Sequence, residues 1–248
     1  MTSSSPHIVF LTARYPPDYL GGGEISTRIT AEGLVGAGAL VTVLCGAAED
    51  LEERLGGVRV VRRSDLQSWW EKPLLEEPVS RRAAAVVKRI LETFQGPPTI
   101  LHAQEFRSAL SLSLLSHGKR WVTIRDFAPI CGTTNNLLWD GSLCTGCFWP
   151  NVLFRCHRVV EASLPRKPAR VLQYKGNLAF RLRAFRSIEH HLYTSSCLLE
   201  RVGARLRPPE SVSSDVLPNP VDPSWLTQLP RPLPTRPVVC SIGRLEKT

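Results

Sequence analysis

The chain has 248 residues, 43% of them hydrophobic, which is enough for a sizeable core and exceeds one average domain without requiring two. Its formal net charge of +9 is scattered over Arg54, Arg62, Arg63, Arg81 and Arg82 and is denser from Arg166 to Arg186, so a solvated face is weighed there against an anionic membrane or nucleic acid. No window approaches the roughly 18 to 20 apolar residues of a spanning helix, and "MTSSSPHIVFLTA" lacks the basic start and long apolar run of a secretory signal, so cytoplasmic residence is expected.

The chain opens on "HIVFLT" (His7 to Thr12), a short run of β formers. "YPPDYLGGGE" follows, and then "EISTRITAEGLVGAG" sets Ile25, Ile29 and Leu34 on helical spacing. "LVTVLCG" (Leu40 to Gly46) is the next strand. Strand, glycine loop, helix and strand make a βαβ unit, whose natural home is a parallel sheet.

The alternation continues through "GVRVVRR" (strand), "SRRAAAVVKRILETF" (helix), "TILHAQ" (strand), "RSALSLSLLSHG" (helix) and "WVTIRD" (strand). From Phe127 to about His157 the periodicity fails and a cysteine-bearing insertion takes over. A basic helix is expected over roughly Ala169 to Ile188, then "HLYTSS" as a strand, "CLLERVGA" as a helix, and a short strand in "SVSSDVLPNPVD". The expected fold is α/β: a doubly wound, mostly parallel Rossmann-like sheet with a cysteine-rich insertion.

The domain reading assigns residues 1–222 to this unit, with the insertion at 127–157. The proline-dense stretch 223–237 reads as a stiff linker, and "VVCSIGRLEKT" (238–248) as the first strand of a second domain.

The glycines Gly21, Gly22 and Gly23 feed a helix N-terminus, where exposed N–H groups and the positive dipole end suit a phosphate or an anionic sugar derivative; a plain turn explains them about equally well. The dinucleotide fingerprint would need glycine at Ser26 and an acid where Cys45 and Gly46 stand, so a nicotinamide enzyme is not expected.

Four cysteines, Cys131, Cys144, Cys147 and Cys156, follow the spacing C-x12-C-x2-C-x8-C, with Asp140 and Gly141 forming a turn just before the close pair. Four thiolates around a structural zinc is the preferred reading. An iron–sulfur cluster would use the same ligands, two disulfides would form in an oxidising compartment, and four unliganded thiols are the bland alternative.

"YPPDYLGGGEISTRITAEGLVGAGALVTVL" resembles the opening of the retaining GT-B glycosyltransferases of family 4, where a P-P-x-x-G-G-x-E pattern is usual. "LHAQ" resembles their histidine-bearing strand, "SDVLPNPVD" their V-x-P-N-x-V-D segment, and "CSIGRLEKT" the start of their G-R-L-x-x-x-K-G motif. These four motifs run in family order along nearly the whole chain.

The resemblance implies a two-domain enzyme in which an acceptor-side Rossmann-like domain faces a donor domain that binds a nucleotide sugar, UDP- or GDP-linked, with a glycan or lipid-linked acceptor. It implies cleft positions at Gly22, Gly23, Glu24, Arg125 and Asn219, catalytic candidates at His102 and Asp126, and donor-phosphate contacts at Arg244 and Lys247. A pair of cations there would let a diphosphate leave without a metal, so no cofactor is expected for the chemistry.

The chain also departs from the family pattern. Family members often carry a histidine before Asp126, where this chain has Arg125. The motif's lysine falls beyond Thr248, and the paired donor-holding carboxylates are absent, so the chain reads as truncated and inactive alone. The insertion is partly familial, since "RDFAPIC" and "DGSLC" fit an H-D-x-x-x-x-C and D-G-x-x-C pattern apart from Arg125. That would set it on the acceptor side.

The basic stretch, with Arg170, Lys175, Arg181, Arg183 and Arg186 among Val171, Leu172, Leu178, Leu182 and Phe185, is compatible with peripheral contact on the inner face of a membrane, though packing against the sheet is the ordinary reading. The alternative function is a non-catalytic, zinc-stabilised Rossmann-like binding module. Nucleic-acid binding is not expected, for want of a recognition motif or a basic-aromatic stacking surface.

Overall fold

The structure is a computed structural model that describes residues 5–18, 21–69, 75–132, 134–156 and 167–222. The linker and final strand expected over 223–248, Arg244 and Lys247 among them, lie outside the described residues, as does His157.

Eight strands form one sheet in the order β3-β4-β2-β1-β5-β6-β7-β8. They are β1 His7–Thr12, β2 Leu40–Gly46, β3 Leu51–Leu55, β4 Val58–Arg63, β5 Ile100–Ala103, β6 Lys119–Ile124, β7 His190–Tyr193 and β8 Ser213–Val216. Every neighbouring pair is parallel except β3 with β4. The α/β, doubly wound, Rossmann-like expectation holds.

The antiparallel edge strand β3 is the element that the strand-helix alternation does not announce. Its signal is the pair Gly56-Gly57, which joins Leu55 to its partner Val58 with φ of +57° and +82°. A two-residue hairpin turn of this hand needs positive φ at both positions, which glycine supplies without strain.

The helices are α1 Gly22–Gly36, α2 Glu76–Leu91, α3 Phe106–Leu112, α4 Trp149–Phe154, α5 Lys167–Arg186 and α6 Ser196–Leu206, with a 3₁₀ turn at Ser64–Trp69. Helix α1 covers one face, where Ala31 packs with Ile8, Phe10, Val43 and Val60. Helices α2, α3, α5 and α6 contribute Val87, Leu110, Phe185 and Val202 to a larger core with Val9, Leu11, Leu44, Leu101 and Val122. Alternate residues of one strand thus feed opposite layers, as the pleat demands.

Two features of this winding position the site. The chain leaves β1 toward β2 on one side and returns to β5 on the other, so the carboxyl ends of β1 and β5 flank a topological switch point, where open α/β sheets leave a crevice. The approach to the glycines is braced by Arg62, a β4 residue only 4% exposed. Its Nη1 donates to the Tyr15 carbonyl at 3.0 Å, and its Nε meets Glu53 of β3 at 2.6 Å. Charge that reads in sequence as part of a solvated face is here a buried strut.

The basic helix α5 packs against the core through Phe180, Ala184 and Phe185 and against Val152 of the insertion through Val171, while Leu172 and Arg183 face outward. No described helix is long and apolar enough to cross a membrane.

Candidate active site at the switch point

Four separated segments meet at the carboxyl edge of the sheet: the start of α1, the residue after β5, the residue after β6, and the segment after β8. Arg125 joins them. Its Nε donates to the Gln104 carbonyl at 3.1 Å and its Nη2 to Gln104 Oε1 at 2.9 Å. Its Nη1 donates to Ser26 Oγ at 2.9 Å and also to Asn219 Oδ1, while Ser26 Oγ donates to Asn219 Oδ1 at 3.2 Å. The planar fork of the guanidinium is what allows one side chain to serve three partners. Burial lowers its pKa from the ordinary arginine value, and Glu24 and Glu105 nearby partly offset that cost by favouring its charge.

Gln104 is 2% exposed and its Oε1 is committed to Arg125 and to the Thr27 hydroxyl at 3.4 Å. That leaves the Nε2 donor buried and without a partner among the described residues. An unmet buried donor costs about 1 to 3 kcal/mol, so this edge favours an acceptor from beyond the described residues. Gln104 was not singled out from the sequence, and Ser26 was weighed there only against a dinucleotide fingerprint; their positions, one past a strand end and near the start of a helix, were the available signal.

Gly21, Gly22 and Gly23 sit beside this cluster, and the Gly21 N–H is met by Glu24 Oε2 at 3.1 Å. A Cβ built on any of the three meets nothing within 4 Å, and none has positive φ. The contrast with the hairpin is direct, since a Cβ on Gly56 would strike Glu32 at 2.7 Å and one on Gly57 would strike Val35 at 2.8 Å. Packing and backbone angle therefore call for glycine at 56 and 57, and among the described residues they do not call for it at 21 to 23.

His102 lies one layer below. It is 7% exposed, its Nε2 pairs with Thr123 Oγ1 at 2.8 Å, and its ring meets Phe10 edge-on at 5.2 Å. Burial, with help from Arg125 and His190, pushes its pKa down to about 3, so the ring is neutral at physiological pH. Asp126 stands at the rim with Oδ1 accepting from the Ala128 N–H at 2.8 Å; desolvation lifts its pKa above the usual carboxylate range. Gly22, Gly23, Glu24, Arg125 and Asn219 are thus gathered at one edge, with Asp126 adjoining Arg125 and His102 supporting from beneath.

The cysteine insertion forms a separate unit. A short bridge pairs Leu137 with Leu143 across a turn in which Asp140 Oδ1 accepts from the Ser142 N–H at 2.9 Å. Cys131, Cys144, Cys147 and Cys156 line one small cavity together with Tyr174 of α5. None of the four is in a disulfide.

Comparison with known proteins places this fold. No protein-family profile matches the chain, and no curated protein matches it. Among solved structures, the sucrose-phosphate synthase of Thermosynechococcus elongatus matches with a TM-score of 0.52 at 14% identity, over 86% of this chain and 48% of that one. A second structure of the same synthase gives a TM-score of 0.47 at 11% identity, over 88% and 92% of the two chains. The chain spans about half the length of the first synthase chain, and what the two share is the fold.

Proposed function

We propose that this chain is the acceptor-side part of a retaining, family 4-type glycosyltransferase, which moves a sugar from a UDP- or GDP-sugar to a glycan or lipid-linked acceptor. The observation that carries this reading is the glycine stretch. Gly22 and Gly23 are dictated neither by backbone angle nor by packing among the described residues, and the Thr27 hydroxyl links the Gly23 carbonyl to Gln104, whose Nε2 has no partner among those residues. Side chains are dispensable at a surface when something else must come close to the backbone, and a helix N-terminus favours an anion such as a sugar diphosphate.

The roles of the chain's own groups follow from their chemistry. Arg125 holds the α1 start and the Asn219 segment in fixed register, so the N–H groups of the glycines are preorganised instead of being drawn together by substrate. Asp126, with its raised pKa, is the titratable group at the rim able to exchange a proton with an acceptor hydroxyl. In the same reading, Arg244 and Lys247 receive the donor phosphates and neutralise charge on the departing diphosphate. The likeness to half of a sucrose-phosphate synthase supports the architecture that this reading needs.

The test is transfer of labelled sugar from UDP- and GDP-sugars to glycan and lipid-linked acceptors. It is run on the 248-residue chain and on the chain extended by whatever coding sequence continues past residue 248. Transfer is expected from the extended chain and not from the shorter one. An extended chain that neither binds nor turns over any nucleotide sugar refutes the reading.

A further inference from the structure

We propose that the insertion is a structural zinc site in which Cys131, Cys144, Cys147 and Cys156 supply four thiolates. The inference stands apart from the sugar-transfer reading.

The stretch from Phe127 to Cys156 contains one helix of six residues and a single isolated β-bridge. Its own buried cluster consists of Val152 with Val171 of α5, flanked by Cys147, Leu153 and Tyr174. Beyond that cluster, Ile130 and Cys131 join the main core and Leu138 is buried, a small apolar total for some thirty residues, to which a metal or a cross-link commonly adds. The surface supports the same view: Trp139, Leu143, Phe148, Trp149 and Phe154 are each more than half exposed, so these five large side chains add little to holding the insertion.

What the insertion does gather inward is sulfur. The four thiols come from three places, the loop after β6, the turn around Gly146 and the residue after α4, yet all line a cavity of about 10 Å³. That is close to the smallest space able to hold one water-sized occupant. Four cysteines with a C-x2-C pair are the donor set of closed, tetrahedral zinc sites. Around the sulfurs stand the groups such a site needs: the Tyr174 hydroxyl lies 3.4 Å from Cys147 Sγ, and Arg205 Nη2 lies 3.9 Å from it. A cation and a hydroxyl directed at sulfur offset the negative charge that four thiolates around one zinc would leave, and they orient the ligands.

Among the described residues, no three of these groups already surround a common point at ligating distance. The binding step therefore includes closure of the Cys144 to Cys147 turn on the ion, with loss of the thiol protons to solvent; metal binding and local folding are coupled in this way.

The deciding experiment is metal analysis of the intact 248-residue chain, purified under reducing conditions without a metal-affinity step. About one zinc per chain is expected, released into a chromogenic chelator as an organomercurial titrates the thiols. Cys131→Ser and Cys147→Ser are each expected to lower the zinc content at least tenfold, while Cys197→Ser, at an exposed thiol of α6, leaves it unchanged. Should a variant fail to fold, the titration of the unaltered chain still decides. Less than a tenth of an equivalent of zinc, disulfides among the four cysteines by mass, or a coloured sulfide-containing cluster would each overturn the proposal.

Discussion

Arg181 and Glu76 form a buried two-pronged ion pair, with Arg181 Nε on Glu76 Oε2 at 2.7 Å and both side chains less than a tenth exposed. The same guanidinium donates to the carbonyls of Ala128 at 2.8 Å and Cys131 at 2.9 Å and lies over the Phe106 ring. One side chain of α5 thus ties α2 to the mouth of the cysteine insertion. Removing one member of a buried pair strands the other charge, so Arg181→Ala is expected to cost about 3 to 5 kcal/mol by urea unfolding. Amide exchange should rise between Ala128 and Cys131, and an unchanged unfolding midpoint would contradict the assignment.

Gly22→Ala and Gly23→Ala separate the needs of the fold from those of a ligand. Neither substitution meets a steric obstacle, and each lowers the entropy of the unfolded chain, so stability is expected to hold or to rise by about 0.4 to 1 kcal/mol. Sugar transfer by the extended chain is expected to fall at least tenfold. Full activity in both variants would show that nothing approaches this backbone.

Arg125→Ala should release the segment after β8. Among the described residues its loss leaves the Asn219 and Ser26 side chains with each other and Gln104 Oε1 with the Thr27 hydroxyl alone, and hydrogen bonds to a charged partner contribute about 1.5 to 3 kcal/mol. Faster amide exchange at Leu217 and Asn219 than in the unaltered chain, with β1 and β2 unchanged, is the expected signature. Uniform exchange across the sheet would mean that Arg125 is not a clamp.

Two buried histidines predict acid sensitivity. Burial lowers the pKa of His102 to about 3, and burial together with His190 lowers that of His191 to about 4. Both values lie below the unfolded value near 6.5, so the unfolded chain binds more protons once pH drops beneath it. The stabilising contribution is complete above about pH 6.5 and is lost as pH falls from there toward 4 and 3, by up to about 1.4 kcal/mol per pH unit for each group. Urea midpoints at pH 7, 5.5 and 4.5 measure this, and His102→Gln should flatten the dependence.

Thiol reactivity should divide the remaining cysteines. Cys45 is fully buried in β2, and burial pushes its pKa up to about 12, so it is protonated and shielded at neutral pH. Cys197 is exposed. Iodoacetamide on the native chain is therefore expected to modify Cys197 readily and Cys45 only after unfolding, as read by peptide mass.

Much of the architecture was legible because its signals are local. β-Branched runs such as "HIVFLT" and "LVTVLCG" lie buried between two helical layers and so read as continuous apolar segments, and β1 and β2 begin and end where that pattern places them. Strand β3 was less legible, since "LEERL" sits at an edge, is mostly exposed and carries no apolar face, although Gly56-Gly57 encodes its turn. The resemblance to a glycosyltransferase family pointed to the glycine stretch, to residues 125 and 126 and to the asparagine after β8, each at the end of an element.

Other features depended on contacts between residues far apart in the chain. Composition gives Arg62, Arg125 and Arg181 the same standing as any surface arginine, yet each is drawn inward by carbonyls and carboxylates from other segments. Gln104 carries no motif of its own; its importance comes from burial beside Arg125, which fixes its oxygen and leaves its nitrogen unmet. The sequence by itself determined the order of the strands and helices apart from β3 and α4, and the clustering of four cysteines, because periodicity and spacing are properties of neighbours. Only the tertiary structure decided which glycines the fold requires and which charges are buried, because both depend on what the rest of the chain brings alongside.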